Sequence, residues 1–205
     1  MHIETVEKPI ITFIFGTRPE AIKLASVILF FKKCHKITTK VIVTGQHKEM
    51  LFQVLDIFNI KYDHNLSIFE DNQTLGNITT RTIEKLNDYL EKERSDLIIV
   101  QGDTTSAFSA ALTGFYKRIP IGHIEAGLRT DNLYDPFPEE ANRRLISRIS
   151  TLHFAPTIDA KKNLMKDTVF GNIYLTGNTV IDSLLLVADS NPKIEIKNFD
   201  IKTHR

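Results

Sequence analysis

The stretch IITFIFGTRPEAIKLAS, residues Ile10 to Ser26, decides how the rest of the chain is read. An apolar, β-rich run, Ile10–Phe15, stops at Gly16. A helical pattern follows over Glu20–Lys33, with Ala21, Leu24, Ala25 and Ile28 at three- and four-residue spacing. A short buried strand, a glycine turn and an amphipathic helix form the first unit of an alternating α/β sheet. The turn is not a dinucleotide loop. One glycine stands where that fingerprint needs three, so NAD is not expected. The turn carries Arg18, Pro19, Glu20 and Lys23 instead. Pro19 suits the first helical position, where its missing N–H costs nothing. The helix start offers free N–H groups and a partial positive charge, to which Arg18 and Lys23 add full ones. The place suits an anionic group, and equally a solvated basic helix start.

The same alternation runs outward from this unit. Strands are expected at Lys40–Thr44, Leu97–Gln101, Ile119–Ile124, Leu152–Ala155 and Ile173–Thr176, each apolar on both faces as buried parallel strands are. Helices are expected at Lys48–Phe58, Thr74–Glu93, Thr104–Tyr116, Glu139–Ser150, Thr157–Lys166 and Thr179–Val187. The fold class is α/β: a doubly wound, mainly parallel, Rossmann-like sheet with helices on both faces. Residues 1–188 form the expected domain. Residues 189–205 are polar and too short for another, and read as a linker or the stump of a further domain.

Composition narrows the function classes. A formal net charge of +1 gives no global field for nucleic acid or a membrane surface. Cys34 is the only cysteine, which rules out a disulfide framework and fits a reducing cytoplasm. The run Ile10–Phe15 is too short to span a bilayer, and with Glu4 and Glu7 before it no signal peptide is expected. The histidines, His2, His35, His47, His64, His123, His153 and His204, are scattered without HxH or HxxxH spacing, so no metal site is expected.

Ligands in such sheets bind beyond the carboxyl ends of the strands. Asp103 follows one strand and Glu125 ends the next, with a single helix between them. The two strands are expected to be parallel neighbours about 4.8 Å apart. Asp103 and Glu125 then face one cleft, where close carboxylates would split into an acid and a base. The plain alternative is a helix-capping Asp103 and an unrelated surface Glu125. Gly127 permits a sharp turn after Glu125. In DPFPEEANRR, Glu139–Arg143 and Glu140–Arg144 read as helix-face ion pairs worth about 0.2–0.5 kcal/mol each. In TGNTVIDSL, Asn178 or Thr179 is the expected cap of the last helix.

Taken together, GTRPEAIK, VTGQHKEML, QGDTTSA, HIEAGLRT, PFPEEANRR and TGNTVIDSL occur in the order found in non-hydrolysing UDP-N-acetylglucosamine 2-epimerases, and the chain resembles that family from about Ile10 to Leu186. The resemblance implies one half of a glycosyltransferase-B architecture, with the active site between two Rossmann-like domains. It implies UDP-GlcNAc and UDP-ManNAc as substrates, interconverted by UDP elimination and re-addition through 2-acetamidoglucal, without metal or redox cofactor. It makes Arg18 and Lys23 an active-site basic pair, Asp103, Glu125 and Glu139 the acid–base carboxylates, and Arg143 an active-site arginine. Gln46 and His47 match a motif near a second, regulatory UDP-GlcNAc, and His204 echoes a histidine of the second domain. A homodimer is implied as well.

The match departs at Ser26, where proline is usual, and at Asp135, where serine is common. Family members carry a second domain that supplies most uridine and pyrophosphate contacts. Three expectations follow: an epimerase domain with little activity alone, a non-catalytic module that binds sugar nucleotide weakly or pairs with a separate C-terminal half, or a hydrolysing relative that releases ManNAc and UDP.

Overall fold

The computed structural model describes residues 7–45 and 48–190. In chain order the elements are β1 (Ile10–Phe15), α1 (Arg18–Lys33), β2 (Thr38–Val43), α2 (Lys48–Ile57), β3 (His64–Asn65), α3 (Leu75–Lys92), β4 (Leu97–Gln101), α4 (Thr105–Tyr116), β5 (Ile121–Ile124), α5 (Glu139–Ile149), β6 (Leu152–Ala155), α6 (Ile158–Lys166), β7 (Asn172–Leu175) and α7 (Val180–Asp189). The strands form one parallel sheet in the order β3-β2-β1-β4-β5-β6-β7. From β1 the chain winds outward through β2 to β3, then crosses to β4 and winds the other way. The doubly wound α/β expectation therefore holds, and the reversal lies between β1 and β4.

The alternation of β1 builds both halves of the core. Phe13 and Phe15 point to one face and pack with Leu24, Ala25 and Ile28 of α1 and Leu51 of α2. Ile14 points to the other and packs with Ile98 and Val100 of β4, Ala107, Ala110 and Ala111 of α4 and Ile146 of α5. Both faces of the central strands are thus covered, which is why the sequence shows continuous apolar runs there. Gly16 ends β1 where the chain passes close to Thr44. A Cβ at this position would lie 2.1 Å from the Thr44 hydroxyl oxygen, so any side chain would push the turn away from the strand beside it.

Several boundaries differ from expectation. β2 starts at Thr38 because the Thr38 N–H already donates to Pro9 O, just before β1, 2.9 Å away. β5 starts at Ile121 because the Ile119 N–H is used at the end of α4, donating to Gly114 O. β3 was not expected: it is two residues long, has no apolar run, and exists only through pairing with Ile42 and Val43. β7 lies on the open edge of the sheet, so Tyr174 and Leu175 are about half exposed rather than buried. No helix among the described residues is long and apolar enough to cross a membrane.

Candidate active site

The carboxyl ends of β1, β4 and β5 open onto a cleft of about 440 Å³. Arg18, Lys23, Asp103 and Glu125 line it, together with Gln101 and Glu20. Four of the candidate residues, drawn from three separate stretches of sequence, are therefore brought to one place. Arg143 joins them from α5 through Asp103. Glu139 is the first residue of α5 and lies outside the cleft lining. Gln46, His47 and His204 lie outside the described residues.

The first wall is the start of α1. Thr17 caps the helix by accepting from Glu20 N, and Glu20 Oε2 accepts from Thr17 N at 2.7 Å, a reciprocal capping box. That box starts the helix at Arg18, so Pro19 is the second helical residue rather than the first. Glu20 does more than cap. Its Oε2 also accepts from Gly16 N at 2.9 Å, and its Oε1 accepts from the Thr104 hydroxyl at 2.7 Å. A carboxylate only 2% exposed thus ties the β1–α1 turn to the β4–α4 turn. Burial raises its pKa above the ordinary value; the hydrogen bonds from Thr104, Gly16 and Thr17 pull the other way and do not cancel it. The sequence signal for this residue was Thr17-x-x-Glu20.

The second wall is Asp103, and it is not a cap. Thr104 caps α4, accepting from Ala107 N at 3.0 Å. Asp103 Oδ2 instead accepts from Arg143 Nε at 3.1 Å and Nη2 at 2.5 Å. The expected Glu139–Arg143 pair is not formed, because the Arg143 guanidinium turns across to the end of β4. Its Nη1 donates to Glu140 Oε2 at 3.2 Å, and Glu140 Oε1 takes Arg144 Nε at 2.6 Å. Glu140 is fully buried, so this is an interior cluster and not the solvated pair that helix spacing indicates. The Glu140–Arg144 pair itself is present as expected.

The third wall is Glu125, which is partly buried and accepts from Lys23 Nζ at 2.5 Å and from Gln101 Nε2. Its backbone is left-handed at φ +64, a conformation costing a non-glycine residue of order 1–3 kcal/mol. Gly127 follows at φ +92, where a Cβ would meet Ala160 O at 2.2 Å, so the sharp turn expected there is real. Asp103 and Glu125 were expected to act on each other directly. Instead each has its own cation, Arg143 for Asp103 and Lys23 for Glu125, and their repulsion is balanced locally. That leaves Arg18, which is exposed and makes no ion pair among the described residues, beside the N-terminal ends of α1 and α4. Glu20, the remaining carboxylate of the cleft, is buried in its hydrogen bonds to Gly16, Thr17 and Thr104, so the charge left exposed in the cleft is positive, as an anionic ligand needs.

Two histidines that are far apart in sequence are neighbours in the sheet: His123 of β5 pairs in register with His153 of β6. Among the described residues no group of His, Cys, Asp and Glu is arranged to hold a metal ion. At the start of α7, Asn178 rather than Thr179 supplies the side-chain acceptor, for Val180 N at 3.1 Å.

Comparison with known proteins agrees with this fold. A family model described as UDP-N-acetylglucosamine 2-epimerase matches residues 31–204. A UDP-N-acetylglucosamine 2-epimerase of Neisseria meningitidis is 56% identical over 174 residues, 84% of this chain and 47% of that protein. The crystal structure of a UDP-GlcNAc 2-epimerase from the same species, bound to UDP-GlcNAc, superposes with a TM-score of 0.85 at 53% identity, covering 88% of this chain and 50% of that one. An S. aureus MnaA structure with UDP gives a TM-score of 0.86 at 41% identity over 93% of this chain and 50% of the other. The chain thus spans about half the length of the relatives it matches.

Proposed function

The chain belongs to the UDP-N-acetylglucosamine 2-epimerase family, and from that premise we propose that it forms the N-terminal, carboxylate-bearing half of an enzyme interconverting UDP-GlcNAc and UDP-ManNAc. In this proposal residues 1–188 are the domain and 189–205 lead toward the second one. The observation that carries it is the convergence of Arg18, Lys23, Asp103 and Glu125 on one cleft at the sheet's reversal point. The relative bound to UDP-GlcNAc supports a sugar nucleotide as the ligand.

The chemistry asks for what the cleft offers. The sugar's C2 proton is not next to a carbonyl carbon and is only weakly acidic. Expelling UDP from C1 as that proton leaves gives 2-acetamidoglucal, and adding UDP back at C1 while a proton is delivered to the opposite face of C2 inverts C2. A carboxylate accepts the C2 proton, a second protonated group returns one, and positive charge stabilises the departing pyrophosphate. Asp103 and Glu125 are the carboxylates placed for proton transfer. Arg18 and the two helix N-termini are placed for the pyrophosphate. Lys23 and Arg143 hold the carboxylates, Lys23 at Glu125 and Arg143 at Asp103. Glu139 is the third carboxylate of the proposal, and its neighbour Glu140 fixes Arg143. A homodimer belongs to the same proposal and is checked by sedimentation over a concentration series.

Proton NMR of the chain with UDP-GlcNAc in deuterated water tests it. Deuterium at C2 together with UDP-ManNAc is the expected result for a domain active by itself. Binding shifts without exchange, restored by adding a relative's second domain, are expected for a half-site. Free ManNAc and UDP would replace the proposal with hydrolysis. A folded chain that neither binds nor exchanges would sink it.

A further inference from the structure

His123 is the third of four residues in a strand, IGHI, whose other positions are glycine or isoleucine. It is wholly buried. A central parallel strand calls for valine or isoleucine at such a position. Its Nε2 lies 2.7 Å from Gly102 O; a carbonyl only accepts, so Nε2 carries the hydrogen. Its Nδ1 is buried with no partner. Burial, with His153, Arg129 and Arg143 nearby, holds the ring's pKa down to about 3, so it stays neutral. An orphaned ring nitrogen is a cost to the fold. What the ring gives in return is one bond, to the carbonyl just before Asp103. From α5, Asn142 Nδ2 donates to the next carbonyl, Asp103 O, at 2.9 Å. The Gly102 N–H donates to Ile124 O at 3.0 Å.

We propose that His123 and Asn142 are positioning residues for Asp103: they take the successive carbonyls of Gly102 and Asp103 and so fix the turn in the one rotation that presents the carboxylate to Arg143 and the cleft. His153 bonds Phe170 O in the same manner, at 2.8 Å, but that carbonyl leads into β7 and away from the cleft. The proposal rests on the proton-transfer role given to Asp103 above, yet its geometry is testable without any sugar nucleotide.

The test is hydrogen–deuterium exchange over residues 101–106 of the 205-residue chain, with the melting temperature measured in parallel. His123→Leu keeps the volume and removes the donor. His123→Gln places an amide N–H near the position of Nε2. His123→Leu is expected to speed exchange over 101–106 roughly fivefold, as the loss of one hydrogen bond does, with the melting temperature little changed because the orphaned nitrogen goes as the Gly102 carbonyl loses its donor. His123→Gln is expected to restore slow exchange, and Asn142→Ala to speed it in the same segment. Unchanged exchange in His123→Leu overturns the proposal. So does faster exchange across the whole chain with a matching fall in melting temperature, or equal loosening in the leucine and glutamine variants. If the expected pattern appears in a chain that does not bind UDP-GlcNAc, the positioning stands and the epimerase function falls.

Discussion

Alanine in place of Glu140 is expected to cost the fold about 3–5 kcal/mol, the range for breaking a buried ion pair from one side. The carboxylate is fully buried between two guanidinium groups, Arg143 Nη1 at 3.2 Å and Arg144 Nε at 2.6 Å. The arginines are unequal. Arg144 is 42% exposed and recovers hydration when its partner goes. Arg143 is 12% exposed and cannot leave, because Asp103 also holds it. The loss therefore falls on Arg143 and passes to the Asp103 turn. Urea denaturation measures it, with Asp159→Ala as the control. Asp159 pairs with Lys162 at 3.2 Å, both side chains being more than two-thirds exposed, and its loss is expected to cost under about 0.5 kcal/mol. A Glu140→Ala loss of similar size would mean that the Glu140 cluster behaves as an ordinary surface pair.

Helix spacing could not distinguish these two pairs, which shows where reading the sequence stops. The strand–helix alternation was legible because a parallel strand covered on both faces must be apolar throughout. The cleft residues Arg18, Asp103 and Glu125 were legible because each stands at or just after a strand's carboxyl end, where this fold opens, and Lys23 because it follows Arg18 near the start of the first helix. Partner choice was not. Arg143 has a carboxylate four residues before it and bonds others, because α5 packs against α4 and meets the β4–α4 turn, where Asp103 takes its guanidinium. That packing is a tertiary fact. The His123–His153 neighbourhood depends on strand register, which an apolar parallel run does not encode locally. The strand β3 depends wholly on β2. Glu20 lay between the two cases. Thr17-x-x-Glu20 announces a capping box, but the bond to Thr104 crosses 84 positions of chain and is visible only in the fold.

Stability is expected to fall as pH rises from the ordinary glutamate value of 4.5 through the raised value of Glu20, and Glu20→Gln is expected to remove that slope. The sign follows from proton counting. Between the two values the folded chain keeps a proton on Glu20 that the unfolded chain has lost. The folded state then binds more protons, and stability declines with pH. Exposed carboxylates with lowered values, such as Glu93 beside Lys40, tilt the profile the other way at lower pH, so the informative quantity is the difference between wild type and variant. The network can accept this proton. Oε2 receives two backbone N–H groups and must stay an acceptor, but Oε1 faces only the Thr104 hydroxyl, which can turn from donor to acceptor. Glutamine reproduces that protonated arrangement, with its amide N–H donating to Thr104, and is expected to be at least as stable as wild type near pH 7. Alanine reproduces none of it. Glu20→Ala strands the Gly16 and Thr17 N–H groups and frees the β4–α4 turn from the β1–α1 turn, and a loss of about 2–4 kcal/mol is expected by urea denaturation at every pH. A glutamine variant with the wild-type slope would show that Glu20 does not titrate in the fold, and that its charge is compensated where it lies.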